Sequence, residues 1–180
     1  YRSIGTGNWA TTSVWERWNG SAWVAAAAAP GTSSGVIAIR NGNTVTVAAS
    51  VSADEVVVEA GGQVNVNSSQ IWTIAAGPNT DLTVYGTVRN AGTMTMTGTG
   101  VYESGGKYQH NQNAGTIPTA TWATDSTCEI LVVTSTTAPG GLGRAFGNFT
   151  WDPAAQAANN LNLAGGLTTV NGDFTVANTG

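Results

Sequence analysis

Short apolar segments separated by glycine and asparagine turns recur along the chain from Val36 onward. Within a segment, apolar residues alternate with Thr, Asn or another small polar residue, and the segments return at intervals of roughly eight to eleven residues. This alternation is typical of short, half-buried β-strands. The clearest predicted strands are Val36–Ile39, Thr44–Val47, Glu55–Val58, Val64–Val66, Ile71–Ile74 and Leu82–Val84.

The turns between these segments discriminate between architectures. A sandwich or barrel would join its strands through two-residue hairpin turns such as Asn-Gly, and only Asn41-Gly42 and Asn171-Gly172 fit that pattern. A solenoid instead repeats an apolar-x-apolar strand with a Gly or Asn corner, and stacks its coils about 4.8 Å apart. The pattern therefore predicts an all-β fold, a parallel β-solenoid or β-helix.

The tryptophans divide the chain into two parts. Four of the seven, Trp9, Trp15, Trp18 and Trp23, fall within the first thirty residues. We predict a Trp-rich N-terminal cap over residues 1–30 and solenoid coils over residues 31–180. Because the strand pattern still runs at Phe174, and an open coil leaves unpaired backbone and an apolar cross-section, we expect the coils to continue or to be covered by another subunit.

Composition excludes several classes of protein. Charged residues are 9% of the 180 residues, hydrophobic residues are 41%, and the only lysine is Lys107, which is unlike an amphipathic helical bundle. With a net charge of −4 there is no basic stripe for nucleic acid. The apolar runs are far shorter than the ~20 residues of a membrane-spanning helix, so no membrane insertion is predicted.

Candidate catalytic groups are sparse. Asp54, Glu55 and Glu59 lie around one strand, but adjacent strand residues point to opposite faces, which favours solvated edge charges over a glycosidase pair. His110 is the only histidine and is expected to be a satisfied polar group. Cys128, the single cysteine, has apolar neighbours and no nearby cation, and is expected to be buried. The sequence predicts no enzyme, no metal and no cofactor.

Aromatic and threonine positions suggest binding surfaces. Tryptophans on a flat solenoid face could stack on sugar rings, and the candidates for such stacking are Trp9, Trp15, Trp23 and Trp72. The competing interpretation of the first two, with Trp18, is a hydrophobic plug over the first coil. Thr93, Thr95, Thr97 and Thr99 alternate along one predicted strand and would share a solvated face.

Several stretches resemble a module of large secreted proteins of Bacteroidota and their relatives. They are Tyr1–Trp9 with Val14–Arg17, Ile37–Val47, Asp81–Val88, Tyr108–Trp122, Phe146–Trp151 and Val170–Val176. The resemblance implies a right-handed β-solenoid belonging to exported cargo of type IX secretion, located outside the cell or on its surface. It carries no catalytic motif, and adhesion and fibre formation are the roles it suggests.

The preferred hypothesis is a structural extracellular protein, a stiff solenoid subunit of a fibre, filament or matrix. Copies would join head to tail, since heterologous contacts that do not close propagate into a filament. The predicted subunit interface comprises Trp9, Trp15 and Trp18 at one end and Phe174 and Val176 at the other. The alternative is an adhesin or carbohydrate-binding segment of a larger cell-surface protein, with a polysaccharide as its partner.

Overall fold

The computed structural model describes residues 1–156, 161–163 and 165–180. Parallel strands stack into a β-solenoid of about six turns, and no α-helix occurs among the described residues. This confirms the predicted fold class. The three walls of the solenoid, which we call sheets A, B and C, run along its axis.

Sheet A has eight strands and includes the only antiparallel pairs among the described residues, which lie at its N-terminal end. In spatial order its strands are β16 (Thr121–Trp122), β14 (Gly100–Tyr102), β11 (Leu82–Val84), β8 (Val56–Val58), β5 (Ile37–Ile39), β1 (Arg2–Ser3), β3 (Trp15–Trp18) and β4 (Trp23–Ala25).

Sheet B also has eight strands, and all of them are parallel. In order they are β2 (Gly7–Asn8), β6 (Thr44–Val47), β9 (Gln63–Val66), β12 (Thr87–Asn90), β15 (Lys107–His110), β17 (Thr127–Ile130), β19 (Asn148–Trp151) and β21 (Phe174–Val176).

Sheet C is shorter, and the third wall is less regular beyond it. Its strands are β7 (Val51–Ala53), β10 (Ile71–Ile74) and β13 (Thr93–Met96). In later coils the third wall is marked by a single parallel bridge between Thr116 and Gly140. A two-stranded sheet pairs β18 (Ala145–Phe146) with β20 (Thr169–Val170).

Residues at equivalent positions of successive coils form columns along the bore. On sheet B one inward column runs Val45, Val64, Val88, Tyr108, Cys128, Phe149 and Phe174, and the next runs Val47, Val66, Asn90, His110, Ile130, Trp151 and Val176. Every member before the last coil is buried. The alternation seen in the sequence is therefore the alternation between bore and outer surface.

A glycine column holds the corner between sheets A and B. Gly62, Gly86, Gly106 and Gly147 each directly precede a sheet B strand. A Cβ atom at any of these positions would lie between 2.1 and 2.5 Å from a backbone carbonyl oxygen. No side chain fits the space at these four positions, so each of them requires glycine. Ser126 takes the corresponding place before β17, where its hydroxyl donates to the carbonyl oxygen of Ala123.

The first thirty residues form a small ribbon against the first coil. Strand β1 pairs in parallel with β5 and in antiparallel with β3, and β3 pairs in antiparallel with β4. A 3-10 turn over Thr12–Val14 leads into β3. The ribbon thus extends sheet A, with β3 running against the solenoid strands and β1 and β4 running with them, and β4 is its outermost strand.

Candidate functional site

Exposed apolar side chains concentrate at the two ends of the rod. Of eight exposed large hydrophobic residues among the described ones, six lie at the ends and two, Ile71 and Tyr85, on the flanks. The end residues are Ile4, Trp18, Trp23 and Val36 near the N-terminal ribbon, and Phe174 and Val176 on the last coil. Clustered exposed apolar surface is typical of interaction sites.

Two of the four cap tryptophans form a plug. Trp9 and Trp15 are buried, with ring centroids 5.2 Å apart in an edge-to-face arrangement. The Trp9 indole N–H donates to the carbonyl oxygen of Pro30 at 2.9 Å, and the Trp15 indole N–H donates to that of Trp9 at 2.7 Å. Trp9 also contacts buried Trp72, at 6.0 Å between centroids.

This burial corrects part of the predicted site. Trp9, Trp15 and Trp72 have no surface to offer a sugar ring, and Trp9 and Trp15 have none to offer a neighbouring subunit. Their rings fill the bore, where burial of large aromatic area stabilises the first coils. Of the predicted residues, Trp18, Trp23, Phe174 and Val176 remain accessible.

The other two cap tryptophans form an open cleft on the outer face of the ribbon. Trp18 and Trp23 are directly opposite residues of β3 and β4, with ring centroids 5.7 Å apart and planes inclined at 61°. The cleft that this pair lines has a volume of about 320 Å³. Its other lining residues are Tyr1, Arg17, Ser34 and Val36.

An ion pair supports one wall of this cleft. The Arg2 guanidinium lies over the Trp23 ring, with Cζ 4.2 Å from the centroid. Arg2 Nε and one terminal nitrogen both donate to the same Glu16 carboxylate oxygen, at 2.9 and 2.7 Å. Because Arg2 is held on both sides, the Trp23 ring is fixed in place before any ligand arrives.

The last coil presents residues that belong to the bore. Phe174 and Val176 continue the inward columns of sheet B, and Phe174 stacks on Phe149 with planes 21° apart and centroids 6.1 Å apart. Yet the two side chains are 53% and 54% exposed, since no other part of residues 1–156, 161–163 and 165–180 covers them. Within those residues no strand pairs with the outer edge of β21.

A chain of polar groups crosses the bore below the last coils. The Asn90 amide donates to the Tyr108 hydroxyl at 3.1 Å, and Tyr108 contacts His110 Nδ1 at 3.2 Å. His110 Nε2 lies 2.6 Å from the carbonyl oxygen of Ala114, which can only accept, so Nε2 carries the proton. Burial lowers the pKa of His110, and the ring is neutral and satisfied.

The remaining polar candidates do not converge on one place. Cys128 is fully buried, and burial raises the pKa of its thiol well above the usual value. Glu55 accepts a hydrogen bond from Asn79, and Glu59 accepts one at 3.2 Å from the backbone N–H of Asn41 at an exposed corner. Asp54 lies beside Glu55, between β7 and β8. Asp54 and Glu55 thus share the turn before β8, whereas Glu59 lies at the corner after it.

The predicted threonine array is only half correct. Strand β13 ends at Met96, so Thr93 and Thr95 share its outer face but Thr97 and Thr99 lie beyond it. The Thr97 hydroxyl donates to the carbonyl oxygen of Ile74, and the Thr99 hydroxyl and backbone N–H both donate to Asp81. Those two threonines anchor a corner and present no flat face.

Sequence reasoning missed Asp81, which is 1% exposed. One of its oxygens accepts the Gly77 N–H at 2.5 Å, and the other accepts the Thr99 N–H at 2.6 Å and hydroxyl at 3.2 Å. A buried carboxylate satisfied by three donors ties two successive turns together. The sequence signal was an Asp directly before a strand, next to the Gly77-Pro78 turn.

Within the described ranges, no three His, Cys, Asp or Glu side chains are grouped so as to hold a metal ion. The same residues include no helix of the length and hydrophobicity needed to cross a membrane.

No protein-family model, curated protein or solved structure matches the chain. The solenoid class therefore rests on the strand pairing alone, and the resemblance to secreted modules of Bacteroidota stays a prediction.

Proposed function

We propose that the protein is a structural subunit, a stiff β-solenoid rod that joins copies of itself head to tail in an extracellular fibre or surface matrix. The observation that carries this proposal is the coil of β21, where Phe174 and Val176 occupy bore positions that none of the described residues covers. A second copy that covers this coil would continue the apolar columns of sheet B and bury both side chains.

Stiffness follows from the register of the ladders. Sheet B is continuous through eight strands, so each internal strand is hydrogen-bonded to the coils on both sides. Bending such a rod would strain many ladder bonds at once, as in stacked cross-strand assemblies.

The opposite end of the rod supplies the second half of the contact. Ile4 and Val36 are exposed near the ribbon, whereas the plug residues Trp9 and Trp15 are buried. The proposed joint therefore places the last coil of one copy on the ribbon end of the next, with Trp9 and Trp15 stabilising the ribbon from inside. Because the two surfaces differ, the contact is heterologous and propagates.

Negative-stain electron microscopy and sedimentation velocity test self-assembly. We expect filaments of uniform width for the wild-type chain, and dispersed particles for the double variant Phe174→Asp, Val176→Asp. Tyr85→Asp is the matched control, since Tyr85 is exposed on the flank of the rod and its replacement should leave the filaments intact. A wild-type chain that stays monomeric at high concentration would contradict the proposal.

The extracellular location is a separate part of the proposal and rests on the resemblance to secreted modules. Labelling of intact cells of the source organism with an antibody against the purified chain tests it. Signal on intact cells or in the medium supports the location, and signal only after lysis opposes it.

A further inference from the structure

The two accessible tryptophans of the chain share one cleft. Trp9, Trp15, Trp72, Trp122 and Trp151 are all buried, whereas Trp18 is 52% and Trp23 is 38% exposed. Burial of an indole ring stabilises a fold by a large free energy, and two exposed rings do not contribute it. Every other tryptophan of the chain is buried. An exposed pair of this kind is typical of a ligand-binding surface.

The two rings together form one wall of a preformed site. They are in edge-to-face contact, with centroids 5.7 Å apart, so the cleft lies beside the pair, and the Arg2–Glu16 pair fixes Trp23 from one side. A rigid aromatic wall loses little conformational entropy when a ligand stacks on it. The volume of about 320 Å³ lies at the lower end of the range for small-ligand sites.

Polar groups at the rim define the chemistry that would complete the contact. Arg17 lines the cleft, and among the described residues no carboxylate lies within ion-pairing distance of its guanidinium. Ser34, also in the lining, accepts a hydrogen bond from the Gly31 N–H through its hydroxyl oxygen, so its O–H is free to donate elsewhere. The charge of Arg2 is neutralised by Glu16, which leaves Arg17 as the cation of the cleft.

We propose that this cleft binds an acidic polysaccharide. One C–H face of a sugar ring would pack on the exposed surface of the Trp18–Trp23 pair, and its carboxylate would accept hydrogen bonds from Arg17. A sugar acid matches the cleft because it combines an apolar ring face, hydroxyl groups for Ser34 and one negative charge. The site lies on the ribbon and shares Val36 with the ribbon end of the proposed joint, so binding is measured on the dispersed Phe174→Asp, Val176→Asp variant as well as on the wild-type chain. The site would add matrix attachment to the structural role.

Binding of polygalacturonate, alginate and hyaluronate to the full-length chain tests the proposal. Calorimetry gives the affinity, and acrylamide quenching of tryptophan fluorescence shows whether the accessible fraction becomes protected. Methyl-esterified polygalacturonate is the matched ligand control, since it keeps the sugar rings and removes the charge. We expect saturable binding of at least one acidic polymer, protection from quenching, and about tenfold weaker binding of the ester.

Variants assign the contact to the cleft. Trp18→Ala, Trp23→Ala and Arg17→Gln should each weaken binding about tenfold or more, and Arg17→Gln should remove most of its salt dependence. Tyr85→Ala, an exposed aromatic residue outside the cleft, should bind as the wild type does. Thermal unfolding of each variant verifies that it is folded.

Three outcomes would overturn the assignment. They are no binding of any of the three polymers, binding that is unchanged in both tryptophan variants, and equal affinity for the acidic polymer and its ester. None of them bears on whether filaments form, so the two proposals fail separately.

Discussion

Gly86 lies so close to Gly62 in the preceding coil that a Cβ atom on Gly86 would be 2.2 Å from the Gly62 carbonyl oxygen. The same Cβ would be 2.3 Å from the carbonyl oxygen of Glu59. Both obstacles are backbone atoms of the coil corner, which cannot turn aside as a side chain could.

Replacement of Gly86 by alanine should therefore destabilise the fold, by about 2 kcal/mol or more of unfolding free energy. Gly5→Ala is the control, since Gly5 has no atom within 4 Å of the added Cβ and no positive φ. Its stability should be unchanged or slightly raised. Urea unfolding followed by circular dichroism measures both. Equal urea midpoints for Gly86→Ala and Gly5→Ala would show that the corner accommodates the added Cβ atom, and would contradict the prediction.

Loss of the Asp81 charge should loosen the corner between sheets C and A. In Asp81→Asn one acceptor oxygen is replaced by an NH₂ group that faces N–H and O–H donors, so at least one of the three hydrogen bonds is lost. We expect a loss of about 2 kcal/mol in urea unfolding. Asp125→Asn, at an exposed corner, should cost little. A similar effect of both substitutions would contradict the role of Asp81.

The stability of the fold should fall as the solution is acidified below neutrality. The pKa of His110 is lowered by burial, so below the unfolded-state value of about 6.5 the unfolded chain takes up a proton that the folded chain does not. The contribution of neutral His110 to the free energy of unfolding is therefore fully present above that pH. Below it the contribution declines, by at most about 1.4 kcal/mol per pH unit.

Urea unfolding between pH 7 and pH 5 measures this decline. Since His110 is the only histidine, His110→Gln should be less stable at pH 7 but nearly independent of pH across that range. An unaltered pH dependence in the variant would assign the effect to other groups.

The thiol of Cys128 should report on opening of the coils. It lies in an inward column between Tyr108 and Phe149, and burial raises its pKa, so it is protonated and inaccessible near neutral pH. An aromatic disulfide reagent should react with the native chain only at the rate at which the coil opens, and at once in guanidinium. Cys128→Ala with Ser104→Cys places the thiol at an exposed turn and should react immediately. Fast reaction of the native wild-type thiol would contradict its burial.

Much of the solenoid could be predicted from local pattern. The alternation in Thr44–Val47 and its recurrence in Gln63–Val66 reflect two faces of a strand, and glycine before a strand marks a corner that a side chain cannot enter. These are consequences of short-range sterics and of burial on one face. They require no knowledge of distant partners beyond the next coil.

The cap could not be predicted in the same way. Trp15 is buried and Trp18 is exposed because β3 runs antiparallel to β1. This pairing places Trp15 opposite buried Ser3 and leaves Trp18 beside the outermost strand. That pairing depends on contacts such as the one between Arg2 and Glu16, which spacing alone does not reveal. The threonine array failed for a related reason, since the end of β13 at Met96 is set by Asp81 and Ile74 in the preceding turn.

The glycine corner and the third wall differ in how well they should accept residues inserted into a coil. Between sheets A and B the chain turns through a few residues against carbonyl oxygens, as at Gly86 and Gly147. On the other side, the connections at 75–81 and 131–144 differ in length and course from coil to coil. Foreign peptides should therefore be tolerated in the 131–144 connection, away from the corner that Asp81 holds, and rejected at the glycine corner. A filament of the proposed kind could then display grafted epitopes along one flank, one per subunit.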